Sequence, residues 1–152
     1  MELKMVRITS WLCALGLCLA LSAPAAEAQG VDRSLRVIVS KENKIASLST
    51  DDLNRIFLGK KTLWESGTRI VPAMPEEESQ AGEAFLSGTL KKSVSQFRAY
   101  WKRLLFSGGG AVPKVFRSSS QLVDFVARQP GAIAVIEASA VDDRVRVLEI
   151  SN

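Results

Sequence analysis

The chain has 152 residues, 47% of them hydrophobic, with Lys+Arg 20 against Asp+Glu 16, no histidine and two cysteines. That length suits one domain with a sizeable core. The lack of histidine excludes Ser-His-Asp and Cys-His nucleophile pairs, and the net charge of +4 would draw anionic solutes, anionic lipid or cell-wall polymers.

In chain order, Lys4 and Arg7 precede an apolar run over residues 11–21, and Ala26-Glu27-Ala28 gives a small-x-small cleavage pattern before Gln29. Residues 1–28 read as a secretory signal peptide that is removed, because Ser22 and Pro24 cut the run short of a membrane span. A retained N-terminal anchor is the alternative. Cys13 and Cys18 both lie in this segment, each after a leucine where lipidation wants a small residue. Residues 29–152 are then a cysteine-free exported domain, with no disulfide and no zinc site of the common His/Cys type. Export, and the absence of a recognised binding motif, exclude nucleic acid as a partner.

The stretch LRVIV at residues 35–39 predicts a strand buried on both faces of a parallel sheet. Residues 40–47 read as a polar loop. Ser49 or Thr50 caps a short helix with Asp51 and Asp52 in its first turn, Leu53, Ile56 and Phe57 on its inner face and Gly59 as a left-handed stop. Phe57 and Trp64 are expected core anchors. RIVPAM at residues 69–74 reads as a second strand, with Pro72 favouring an edge or a strand end. A helix from about Ser79 to Leu90 turns Ala81, Ala84 and Phe85 inward. Ser93 or Ser95 caps a longer helix in which Phe97, Tyr100, Trp101, Leu104 and Leu105 form the core stripe, while Arg98, Lys102 and Arg103 face elsewhere. The SGGG run at residues 107–110 is a flexible turn into extended chain at Ala111-Val112-Pro113, not a phosphate loop. Ser118, Ser119 or Ser120 caps a helix ended by Pro130-Gly131. GAIAVI is a continuous apolar strand, and RVRVLEI alternates as a more exposed one. Alternating strands and helices give the α/β class with a mixed or mainly parallel sheet flanked by helices.

The run LNRIFLGKKTLWESG, residues 53–67, resembles the segment L-x-x-I-F-x-G-K-x-x-x-W-x-x-G of phosphate-type periplasmic solute-binding proteins. Gln129-Pro130-Gly131-Ala132-Ile133 is similar to that family's V-x-x-x-P-G-A-I-G-Y element, with Val135 at the tyrosine position. The resemblance implies one type II periplasmic-binding-protein-like lobe over residues 29–152. It also implies where a ligand would bind. Relatives carry R-x-x-x-S-G-T at a helix start, with a phenylalanine six residues after the serine. Phe85 fixes the register and assigns the ligand positions to Ser79, Gln80 and Ala81, with Gln80 at the glycine, Ala81 at the threonine and Pro75 at the arginine position. Glu76, Glu77 and Glu78 crowd this entrance and either oppose an oxyanion or merely suit a helix start. Ser79 reads as an N-cap or as a ligand contact.

The implied function is an exported, periplasmic solute-binding-like protein with a degenerate site for phosphate or another small oxyanion, serving an ABC importer or sensor. The alternative is a non-catalytic envelope interaction module that has lost solute binding and docks through Arg98, Lys102 and Arg103. A homodimer that rebuilds a cleft from two lobes stands between them. No S-x-x-K or nucleophile-elbow signature occurs, so no catalytic residue, cofactor or metal is assigned.

Overall fold

The computed structural model describes residues 34–151, so the signal-peptide reading lies outside the described residues. Six strands form one mixed sheet in the order β2-β6-β1-β5-β3-β4. They are β1 (Leu35–Ser40), β2 (Ser47–Ser49), β3 (Val71–Pro75), β4 (Lys114–Phe116), β5 (Ala132–Glu137) and β6 (Val145–Ser151). The helices are α1 (Thr50–Phe57), α2 (Gln80–Gly88), α3 (Val94–Phe106) and α4 (Ser119–Arg128).

Strand β1 runs antiparallel to both β5 and β6, while β2 is parallel to β6, and β3 is parallel to β5 and β4. Five strands therefore point one way and β1 alone points back. The apolar LRVIV run is buried on both faces by helices, as its composition suggests, but both its strand neighbours are antiparallel, not parallel. One face carries α1, α2 and α3, whose Leu53, Ile56, Phe57, Phe85, Phe97 and Trp101 pack on Val37, Val39, Met74, Ile133 and Val135. The other face carries α4, whose Leu122, Val123 and Val126 pack on Ile38, Ala73, Ala134 and Ile136. Each large apolar side chain so buried contributes about 1.5–3 kcal/mol.

The run at residues 53–67 and the Pro130-Gly131 element meet in space. Phe57 stacks edge-on against Phe85 with ring centroids 4.8 Å apart, and the indole Nε1 of Trp64 donates to the carbonyl of Gly131 at 3.1 Å. A Cβ on Gly131 would lie 2.1 Å from the Arg69 carbonyl oxygen, so only glycine lets these segments close. Gly59 has φ +70 and ends α1 as expected.

Several expectations change. Pro72 lies inside β3, between β5 and β4, not at an edge. Val71 N donates to Gly131 O, so by strand alternation the Pro72 nitrogen faces β4, whose pairing starts only at Ala73; no ladder bond is lost. The short strands β2 and β4 go beyond the sequence reading, being three residues each, with Leu48 buried in β2 and β4 largely exposed. Ala84 and Leu105 are exposed, contrary to the inward positions assigned them. In α2 Leu86 takes the core-facing direction beside Phe85, and in α3 Phe97 and Trp101 face the core as expected.

Candidate functional site

Three strand-to-helix turns, β2 to α1, β3 to α2 and β4 to α4, lie at the same end of the sheet, because those three strands share a direction. Each helix is opened by a serine cap in extended conformation: Ser49 accepts from Asp52 N, Ser79 from Gly82 N and Ser118 from Gln121 N. Adjacent strands β3 and β4 send their helices to opposite faces, which opens a crevice at the carboxyl ends of the strands. Open α/β sheets place ligand sites at such reversals.

A recess of about 190 Å³ fills that crevice, and Ser79, Gln80 and Ala81 line it together with Glu76, Arg117, Ser118, Ser119 and Glu137. The three sequence-assigned positions are thus brought together. The Ser79 hydroxyl is engaged within the protein: it donates to the Glu76 carbonyl at 2.6 Å and accepts from Gly82 N at 3.0 Å. Its N-cap role is met geometrically. Gly82 is required there, since an added Cβ would stand 2.0 Å from the Glu76 carbonyl oxygen.

The glutamates do not stand as an unopposed negative wall. Arg117 Nε donates to Glu76 Oε1 at 3.1 Å, and Arg98 reaches both Glu77 and Glu78, the latter at 2.9 Å. The hydrogen bonds Arg98 donates to Glu77 and then to Glu78 raise its guanidinium above its ordinary value. Arg98 is therefore part of the α2–α3 connection, and the surface of Arg98, Lys102 and Arg103 is not one free basic patch. Pairs this exposed are screened by water, so their effect is on local field more than on stability.

Sequence reasoning missed Arg117, Ser118, Ser119 and Glu137 as lining residues. The signal was present in FRSSS: a short strand, a cation and a serine-capped helix, repeating the layout before α2. Arg117 brings a guanidinium to the recess from the neighbouring strand end, where the position occupied by Pro75 cannot. Glu137, at the end of β5, brings a carboxylate with no hydrogen-bond or ion-pair partner among the described residues. The chemistry on offer is a helix-start dipole from α2 and from α4, hydroxyls, one movable guanidinium and one opposing carboxylate. Among the described residues no cluster of His, Cys, Asp and Glu has the makings of a metal site, and no helix is long and apolar enough to cross a membrane.

These features define a protein with the periplasmic-binding-protein-like fold. The chain superposes on an ABC-type phosphate transport receptor from Vibrio cholerae with TM-score 0.54 at 18% identity, over 76% of this chain and 45% of the other. It superposes on a putative phosphate ABC transporter substrate-binding protein with bound phosphate from Clostridium perfringens with TM-score 0.62 at 21% identity, covering 76% and 44%. For PstS from Borrelia burgdorferi the TM-score is 0.60 at 17% identity, covering 77% and 47%. The chain thus spans less than half the length of the solved structures it matches. No family model matches the sequence.

Proposed function

We propose that this chain is an exported, periplasmic solute-binding lobe that takes a small oxyanion of the phosphate class and presents it to an ABC importer or sensor in the membrane. The reading supposes removal of residues 1–28 on export. It is non-catalytic and needs no cofactor. The observation that carries it is the crevice between the starts of α2 and α4, where Ser79, Gln80 and Ala81 meet Arg117, Ser118 and Ser119. In this reading backbone amides at the two helix starts hold the anion's oxygens, and Arg117 leaves Glu76 to supply the charged fork that Pro75 cannot.

The open crevice implies weak capture, because each hydrogen bond competes with water. Phosphate and sulfate in the millimolar range are expected to raise the melting temperature progressively as free anion exceeds the dissociation constant. Arg117→Gln abolishes that rise while leaving the anion-free melting temperature unchanged. A flat response to every oxyanion tested would reject the reading.

A second reading draws on two specific contacts. The Ser79 hydroxyl is already engaged by Glu76 and Gly82, and the Glu137 carboxylate faces the same recess unpaired. Both suit a lobe that has lost solute binding and acts as an envelope interaction module. That reading gains if the oxyanion panel is silent.

A further inference from the structure

We infer that the outer end of α3 and the glycine turn after it form a docking surface for an anionic lipid membrane. Between Glu83 and Asp124 the chain has no acidic residue at all, yet it carries seven lysines and arginines. Two of these, Arg98 and Arg117, are held by glutamates in the site described above. Lys102 and Arg103 have no ion-pair partner among the described residues.

The same helix end exposes apolar side chains. Phe106 is 83% exposed and Leu105 53%, and Val112, just beyond the glycine turn, is 40% exposed. On a helix, Lys102 and Arg103 lie four and three residues before Phe106, so the two cations flank the aromatic ring on one face. Phe97 and Trp101 anchor the opposite face in the core. The turn itself is fixed by Gly108 and Gly110 at φ +77 and +75, and Gly110 abuts the Trp101 ring, which keeps the segment against α3. The same edge of that ring meets Gly59, followed by Lys60, a third cation without an ion-pair partner among the described residues. Thr62 and Ala111 line one small recess, which brings the exposed Leu63 and Val112, their next neighbours in sequence, to this same region.

The choice of occupant follows from shape and charge. Leu105, Phe106 and Val112 line neither recess at the ends of the sheet; they stand at a helix end and a turn. A few apolar side chains on a projecting tip are too small an area for a stable protein interface, which buries about 800 Å² per partner. They do suit insertion to the depth of lipid headgroups, with surrounding lysines and arginines held by anionic lipid. The absence of any acidic residue through the whole stretch removes the repulsion that such a surface would otherwise feel.

Among the described residues the six-stranded sheet and both cores lie within residues 34–151, and a chain starting at Gln29 retains all of them without the apolar N-terminal run. This chain is to be sedimented with vesicles of phosphatidylcholine alone and with about one-third phosphatidylglycerol. Binding is expected to the anionic vesicles only, and to fall as salt is raised. Phe106→Ser should weaken partition about tenfold, and the pair Lys102→Glu and Arg103→Glu about tenfold or more. Lys44→Glu, on the loop after β1, should change little, and circular dichroism should report every variant folded. Absence of vesicle binding, equal binding to neutral vesicles, or variants indistinguishable from the parent would overturn the inference. So would capture of an acidic protein, lost in the Lys102 and Arg103 variant, with anionic vesicles ignored.

Discussion

The two ends of the sheet differ in a way that separates cavity size from binding chemistry. At the amino ends of β3 and β5 lies the larger recess, about 340 Å³, lined by Asn43, Ile45, Trp64, Thr68 and Pro130. None of the three serine caps opens a helix there. Its lining also includes Glu42, Lys44 and Glu65, and the Trp64 indole there already donates to Gly131. At the carboxyl ends lies the smaller recess, where two helices start side by side and Arg117 sits on an exposed tether. The first end carries the Trp64 to Gly131 closure of the fold, and the second brings two helix starts and a guanidinium together.

Substitutions sharpen this contrast, and the largest effect belongs to the closing end. Trp64→Ala removes a nearly fully buried ring and its bond to Gly131, and should cost about 3–5 kcal/mol in denaturant unfolding. If the two ends are distinct, the surviving folded fraction keeps its oxyanion response. At the carboxyl end, Ser79→Ala should cost about 1 kcal/mol through loss of the cap, and Ser79→Asp should restore that stability. The aspartate adds a carboxylate beside the recess, so it should abolish any phosphate-dependent rise in melting temperature even as the helix is recapped. A retained rise in Ser79→Asp would detach the site from the start of α2.

The smallest effect lies away from both recesses. Arg144 holds Asp142 with its side chain and its backbone amide, and these hydrogen bonds depress the Asp142 carboxyl below its ordinary value. The contribution is present above the ordinary carboxylate value and is lost as pH falls through the depressed one. Arg144→Ala should therefore move the Asp142 titration upward, read by carboxyl carbon NMR, with melting temperature at neutral pH barely changed.

Much of the scaffold was legible because local rules and tertiary packing agree. The helix caps fall to Ser49, Ser93 and Ser118, in each case the first of the neighbouring candidates, and the left-handed Gly59 and the anchors Phe57 and Trp64 follow from local pattern. The direction of β1 was not legible, since a strand covered on both faces looks alike in either direction. Leu105 was misassigned because helical spacing leaves a residue at the margin of the stripe undecided, and only the packing of Trp101 against Gly59 and Gly110 fixes the rotation. Ser79, Gln80 and Ala81 were placed by motif register, and they do share one recess. Arg117 escaped because its relevance comes from β4 lying beside β3, a pairing between residues 41 positions apart that no local pattern encodes.

The lone reversed strand also constrains how the molecule is made. Among the described strands β1 is the first to be synthesised, yet both its neighbours, β5 and β6, come from residues 132–151. Until the end of the chain arrives, Val37, Ile38 and Val39 have no strand on either side, and their open edges invite pairing with other chains. The final sheet thus closes around its oldest segment by long-range contacts, the kind that make folding slow. A chain threaded through a membrane from its N-terminus would hold this apolar strand waiting for its partners, and a chaperone that binds extended apolar segments would find its target there first.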